Sequence, residues 1–300
     1  MMVINLVTLL LALPYVVNSQ MTKGNHENEQ LGKLSNASRQ AVTRQYYWAN
    51  GQIAIQNEFP FAATLSWPLQ YSPENYEVST YNPFCGGSII TKFHILTSAQ
   101  CVDIILKRGY RVNSMVAIIG AFDRRIRTKG EFHIPVRRLD PNPFYFGPPH
   151  FINDIALVTL ATGIQFHRSV LAICLPKPNY NIDYKTVTAV GWERWKHGSS
   201  PFQKKLITSV MSLEVCQVYG PVTTGQLCTY TRAGDFCEEE SGGAIVSIKK
   251  NMHVLAGVQS GVSCDRRKPV VSTAVDGYVA WLTKVIVETQ PLGLPDLCII

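Results

Sequence analysis

Short apolar runs cut by Gly, Pro and Asn recur along this chain. They include FAATLSW, SIITKFHILTSA, MVAIIGAF, DIALVTLA, TVTAVGW, GAIVSI and VLAGVQSG. Each has about the length of a strand, and alternation within each is partial, as in strands of closed barrels. No long stretch of helical periodicity interrupts them, so the fold is predicted to be all-β. One helix is expected near the end. Asp276 is its candidate N-cap, and Tyr278, Trp281, Leu282, Val285 and Ile286 share one helical face. With 300 residues, 46% of them hydrophobic, the chain can bury one large core or two packed halves.

The N-terminal run from Val3 to Val17 is short for a bilayer span, which takes about 20 residues. Small residues follow it, so 1–19 reads as a secretory signal peptide; its alternative is an uncleaved anchor. No other segment is long and apolar enough to span. Residues 20–47 are polar and read as a pro-segment or arm, with a glycosylation sequon at Asn36. The folded body is expected over 48–288, with a tail over 289–300. Secretion makes the eight cysteines candidates for disulfides. The net charge of +7 is spread in short clusters, and no nucleic-acid motif accompanies it. Extracellular proteins or acidic glycans are the partners this charge favours.

Three segments carry the chemistry: CGGSIITKFHILTSAQC (Cys85–Cys101), NDIALV around Asp154, and CEEESGGA around Ser241. In this order they resemble the chymotrypsin/trypsin-like serine proteases. The resemblance spans 48–288 and implies two packed six-stranded antiparallel β-barrels with the C-terminal helix on the second. It implies the disulfides Cys85–Cys101, Cys216–Cys228 and Cys237–Cys264, which leaves Cys174 and Cys298 to pair with each other. It places Gln100, Asp154 and Ser241 at the three triad positions. The family has its general-base histidine where this chain has Gln100. A side-chain amide does not titrate near neutral pH, so it cannot shuttle the serine's proton. Asp154 then reads either as a buried structural carboxylate or as a partner of the Gln100 side-chain amide. His94 lies six residues upstream, roughly 20 Å along a strand, and the remaining histidines match no catalytic position.

The resemblance also marks other departures. Glu239 replaces a glycine whose backbone N–H, with that of Ser241, forms the oxyanion site. Glutamate disfavours that backbone conformation and brings a charge of the wrong sign. Losing such a donor costs about 10²–10³ in rate, and losing the base about 10⁶. Trp48-Ala49-Asn50-Gly51 stands where family zymogens expose Ile-Val-Gly-Gly after cleavage, and Tyr47 precedes it. The carboxylate that would receive the new ammonium is Glu240. In the specificity pocket Asp235 matches the trypsin-like acid and Ser260 lines the wall. Val270 replaces a glycine and is expected to narrow the space. The resemblance therefore implies a catalytically degenerate, arthropod-like secreted homologue, of a kind that acts in immune or reproductive cascades. Its alternative is a weakly active trypsin-like endopeptidase; a third reading is a decoy whose arm a true protease cuts. Arg124, Arg125, Arg127 and Lys129 form a basic loop, either solvated or an exosite for an acidic partner. Ala121 stands where some relatives have a calcium ligand, although Glu131 matches a second ligand position. The crowded cations disfavour calcium, so no metal or cofactor is expected.

Overall fold

The computed structural model describes residues 51–68, 81–192, 194–195, 198–230, 241–260, 268–290 and 296–300. All belong to one unit, Ala49–Ile300. The chain enters through β1 (Gln52–Ile53). It then forms β2 (Ala62–Pro68), β3 (Tyr81–Ile89), β4 (His94–Thr97), β5 (Val116–Ile119), β6 (Phe132–Pro141) and β7 (Ala156–Leu160). These last six close an antiparallel barrel in the order β2-β3-β4-β7-β6-β5. SIITKFHILTSA is thus a hairpin: β3 and β4 turn at Lys92-Phe93, with Ser88 opposite Leu96.

Next come β8 (Thr186–Gly191), a small hairpin of β9 (Arg194–Trp195) and β10 (Gly198–Ser199), then β11 (Lys204–Met211) and β12 (Gln226–Tyr230). β13 (Ala244–Lys249), β14 (Met252–Val258) and β15 (Val270–Ala274) complete the strands. The order β11-β12-β15-β14-β13-β8 closes on itself through β11–β8, giving a second six-stranded barrel, and β1 adds alongside β11. Both barrels are filled by alternating side chains. Val187, Ala189, Leu206, Leu227, Ile245 and Ala256 fill the second. The larger apolar cluster runs from Leu65 and Ile95 in the first barrel to Val190, Ala244 and Val258 at the seam.

Three α-helices lie among the described residues. Helix α1 (Ala99–Lys107) was not legible from apolar periodicity, because it starts directly after β4. Ser98 caps it, its hydroxyl accepting the Cys101 N–H. Helix α2 (Leu213–Gln217) is one turn capped by Ser212. Helix α3 (Val279–Thr289) buries Val279, Leu282, Val285 and Ile286. Asp276 does not cap it. The chain enters α3 through a 3₁₀ turn, Asp276–Tyr278, and the Asp276 carboxylate accepts the Tyr180 N–H instead.

Disulfides join Cys85 to Cys101, Cys216 to Cys228 and Cys174 to Cys298. Cys237 and Cys264 lie outside the described residues, as do the arm, Asn36, Asp235 and Glu239. Cys174–Cys298 staples the tail as an added parallel strand. Leu175 donates to Cys298 O at 2.8 Å, and Ile300 donates back to Leu175 O at 3.0 Å. The bridge spans 124 residues of chain, so the chain-entropy model sets its stabilisation at no more than about 5 kcal/mol. Converting both cysteines to Ala should lower stability to denaturant by several kcal/mol and expose the Leu175 amide to exchange. A loss below about 1 kcal/mol would show that the strand pairing alone holds the tail.

Candidate active site

Asp154 stands at the seam between the barrels, with no exposed surface. It precedes β7 of the first barrel, yet the second barrel holds it. Ser260, just beyond β14, donates its hydroxyl to Oδ2, and Thr273 of β15 donates to the Asp154 carbonyl at 2.8 Å. From the first barrel, the Gln100 N–H at the start of α1 donates to Oδ1 at 2.6 Å. The partner of Asp154 is therefore the main-chain amide of Gln100, not its side-chain amide. Next to it, Tyr278 donates to Asn153 Oδ1 at 2.9 Å.

The Gln100 side chain turns the other way. Its Oε1 accepts the Ser241 hydroxyl at 3.2 Å. Ser241 is nearly buried, at 7% exposure. The turn that carries it is packed against the first barrel by glycines. Gly86 on β3 donates to Ser241 O at 2.9 Å, and a Cβ at Gly86 would sit 2.8 Å from Gly243 N. Gly242 has φ +87° and faces the Gly86 carbonyl and Thr97 Oγ1, so neither its conformation nor its space admits a side chain. Gly242 donates to Gln259 O and Gln259 donates to Gly243 O, both at 2.8 Å. Gln100, Asp154, Ser241 and Ser260 thus meet at one place. The Gln100 carbonyl can accept the serine's hydrogen bond, but an amide oxygen has no basicity to hold its proton.

Ser260, read from the sequence as a pocket wall, spends its hydroxyl on Asp154. Thr273 has no apolar or motif signal of its own, so its contact with the Asp154 carbonyl was invisible in the sequence. Val270 packs against the core of the second barrel. His94 is fully buried between Thr91 Oγ1 at 2.7 Å and Thr289 Oγ1 at 2.8 Å. Burial, with the Arg137 charge, lowers its pKa to about 4, so it serves the core as a neutral ring.

The basic loop divides in two. Arg124 places its guanidinium 4.8 Å over Trp192 and donates to Thr64 Oγ1 at 3.2 Å, while its N–H reaches Pro201 O at 2.7 Å. Arg125 pairs with Asp123 at 2.7 Å and lies 4.8 Å over Phe202. Arg125, Arg127 and Lys129 are all exposed. Glu131 binds His133 Nε2 at 2.5 Å and accepts the Thr128 N–H, which occupies both its oxygens. Among the described residues no cluster of three or more His, Cys, Asp or Glu could hold a metal ion.

A family model described as Trypsin matches residues 50–282. The chain belongs to the trypsin family. Its two six-stranded barrels accord with that family, and at their seam Gln100 links Asp154 to Ser241.

Burial pushes the Asp154 carboxyl up to about 6. The hydrogen bonds from Ser260 and from the Gln100 and Ala99 amides oppose the rise, and the Asp103 charge adds to it. The folded state therefore holds the Asp154 proton to higher pH than the unfolded chain does. The stability this contributes is fully present below about pH 4 and is lost as pH rises through about 6. A rise of roughly two pH units corresponds to about 3 kcal/mol. Asp154→Asn should remove that dependence, flattening the stability profile between pH 4 and 7 relative to the parent. Parallel profiles for the two proteins would contradict this account of the site.

Proposed function

We propose that this trypsin-family chain is secreted and acts by binding rather than by hydrolysis, as a cofactor or regulator in an extracellular proteolytic cascade. The observation that supports this most directly is the hydrogen bond from Ser241 to the carbonyl of Gln100. The serine is held, but the group that holds it cannot take its proton. Glu239, in the sequence just before the turn, is a second reason for weak chemistry: a carboxylate beside a developing oxyanion opposes it. Secretion accords with the apolar N-terminal segment and the disulfides.

A second reading, a weakly active trypsin-like endopeptidase, is favoured by one feature. Asp154 is held by Ser260 and the Gln100 amide, and the turn that presents Ser241 is held by Gly86 and Gln259, a fixed arrangement that low-level catalysis could use. Fluorophosphonate labelling and turnover of Arg and Lys substrates separate the two readings. We expect neither labelling nor turnover, before or after treatment with trypsin. Turnover that vanishes in Ser241→Ala would establish the enzyme. Gln100→His should restore at most weak activity, because Glu239 remains. Ordinary protease rates from that single change would mean Glu239 is harmless.

The partner face is proposed at the exposed half of the basic loop, for an acidic extracellular protein or glycan. Arg127→Ser with Lys129→Ser should slow association with heparin and reduce its salt dependence, with the larger effect at low ionic strength. Replacing Arg124 should act on stability instead, since its guanidinium is held over Trp192 and against Thr64. An unchanged rate and salt slope in the Arg127/Lys129 variant would move the binding face elsewhere.

A further inference from the structure

The second barrel carries a cavity of about 200 Å³ at the end away from the Ser241 turn. Its wall is apolar, formed by Ile182, Val210, Leu227 and Ala256 of the barrel core. Two carboxylates, Asp183 and Asp276, stand beside that wall, and no Lys, Arg or His among the described residues lines it. Asp276 Oδ2 accepts the Tyr180 N–H at 3.1 Å, and the Asp183 N–H donates to Asn181 Oδ1 at 2.9 Å, so both residues are fixed in place. Neither carboxylate has an ion-pair partner among the described residues. Lys249 lies over the Tyr180 ring at 5.0 Å instead. In a chain of net charge +7, these two carboxylates give the cavity the opposite sign.

An apolar groove of about 500 Å³ adjoins the cavity across Val210 and Met211, which line both. Tyr184, Ile207, Val215 and Tyr230 line most of the rest, with no charged side chain among the described residues. Tyr184 is 71% exposed and Ile207 54%, a large apolar surface to leave in water on one face. Strand register places both features. Asp183 and Tyr184 lead into β8 at Thr186, whereas Val190 near its far end pairs with Ala244, next to the Ser241 turn. Thr186 and Val190 are roughly 13 Å apart along the strand. The surface is thus separate from the site of Gln100, Asp154 and Ser241.

We propose that this end of the second barrel docks another protein. The cavity takes a lysine or arginine side chain of the partner, and the groove takes a neighbouring large apolar side chain. Size and charge select the first. An apolar cavity of about 150 Å³ takes up benzene, so one of about 200 Å³ holds the carbon stem of a lysine. The stem lies along the apolar wall, and the cationic head meets Asp183 and Asp276. The groove selects a protein segment as the source of the cation, because a free polyamine has no apolar neighbour to place there. This face is distinct from the basic loop, which favours an acidic partner, and it serves whether or not Ser241 turns over a substrate.

Titrations of the full chain, followed at the Met211 methyl by NMR, test this. Met211 lines both features, so it reports on either. The n-butylammonium ion should shift the signal saturably, and neutral 1-pentanol, of similar size, should bind more weakly by about tenfold or more. Asp183→Asn with Asp276→Asn should weaken n-butylammonium by about tenfold or more and leave 1-pentanol unchanged. Asn keeps the side-chain oxygen that accepts the Tyr180 N–H. If the double variant does not fold, Asp183→Asn alone, at an exposed position, should still weaken binding by about threefold or more. The tighter of acetyl-Lys-Leu amide and acetyl-Leu-Lys amide should bind about tenfold or more tightly than acetyl-lysine amide. Tyr184→Ser with Ile207→Ser should abolish that gain while n-butylammonium binds as before. Equal binding of the alcohol, indifference to the Asn changes, no gain from the leucine, or no response at Met211 would each overturn the docking surface.

Discussion

A carboxylate with no exposed surface sits where the two barrels meet, and the geometry of the site depends on it. Asp154 takes one bond from the amide that starts α1 and another from Ser260 of the second barrel; its carbonyl takes a third from Thr273. Each donor satisfies a group that burial would otherwise leave without a partner. The same burial raises the carboxyl's pKa, since these are hydrogen bonds and not a full positive charge. In a family member with a histidine at position 100, an imidazolium would supply that charge. Here Asp154 orients a helix start and joins two barrels, both of which are tasks of position.

The second constraint is how closely backbone meets backbone at the seam. Gly86 and Gly243 touch with no room for a Cβ between them, and Gly242 takes a conformation open to glycine. Ser241 is delivered to Gln100 by this contact, and the glycines account for its near burial. Arg124, Arg125 and Phe122 form a further clamp across the seam. The segment holding them lies along the 200–203 stretch, where Asp123 bridges Phe202 and Gln203 donates to Phe122 O. A cluster of like charges is thereby divided: Arg124 lies over Trp192 and Arg125 over Phe202, while Arg125, Arg127 and Lys129 are exposed. Stacking and pairing absorb the first two because a guanidinium has flat faces to stack as well as donors to pair.

The β-barrel class was legible from the short apolar runs, because a strand in a closed barrel must turn every second side chain inward. Helix α3 was legible in its apolar face, though its start was not: the 3₁₀ entry moves the cap from Asp276 to Tyr278, which residue pattern does not encode. Helix α1 is masked in the sequence because its apolar residues continue those of β4, and only Ser98 marks the change.

The sequence by itself determined that positions 100, 154 and 241 carry an amide, a carboxylate and a hydroxyl, because side-chain chemistry is written residue by residue. It also paired Cys174 with Cys298, once the family pattern had used the other six cysteines. Only the tertiary structure decided what each group does in place. Gln100 uses its backbone for Asp154 and its side chain for Ser241, and Ser260 turns to Asp154 instead of to a pocket. Lys204 is fully buried beside a lysine that is not. These choices depend on which strands adjoin and which face a residue takes. Contacts between residues more than a hundred positions apart leave no mark on local sequence.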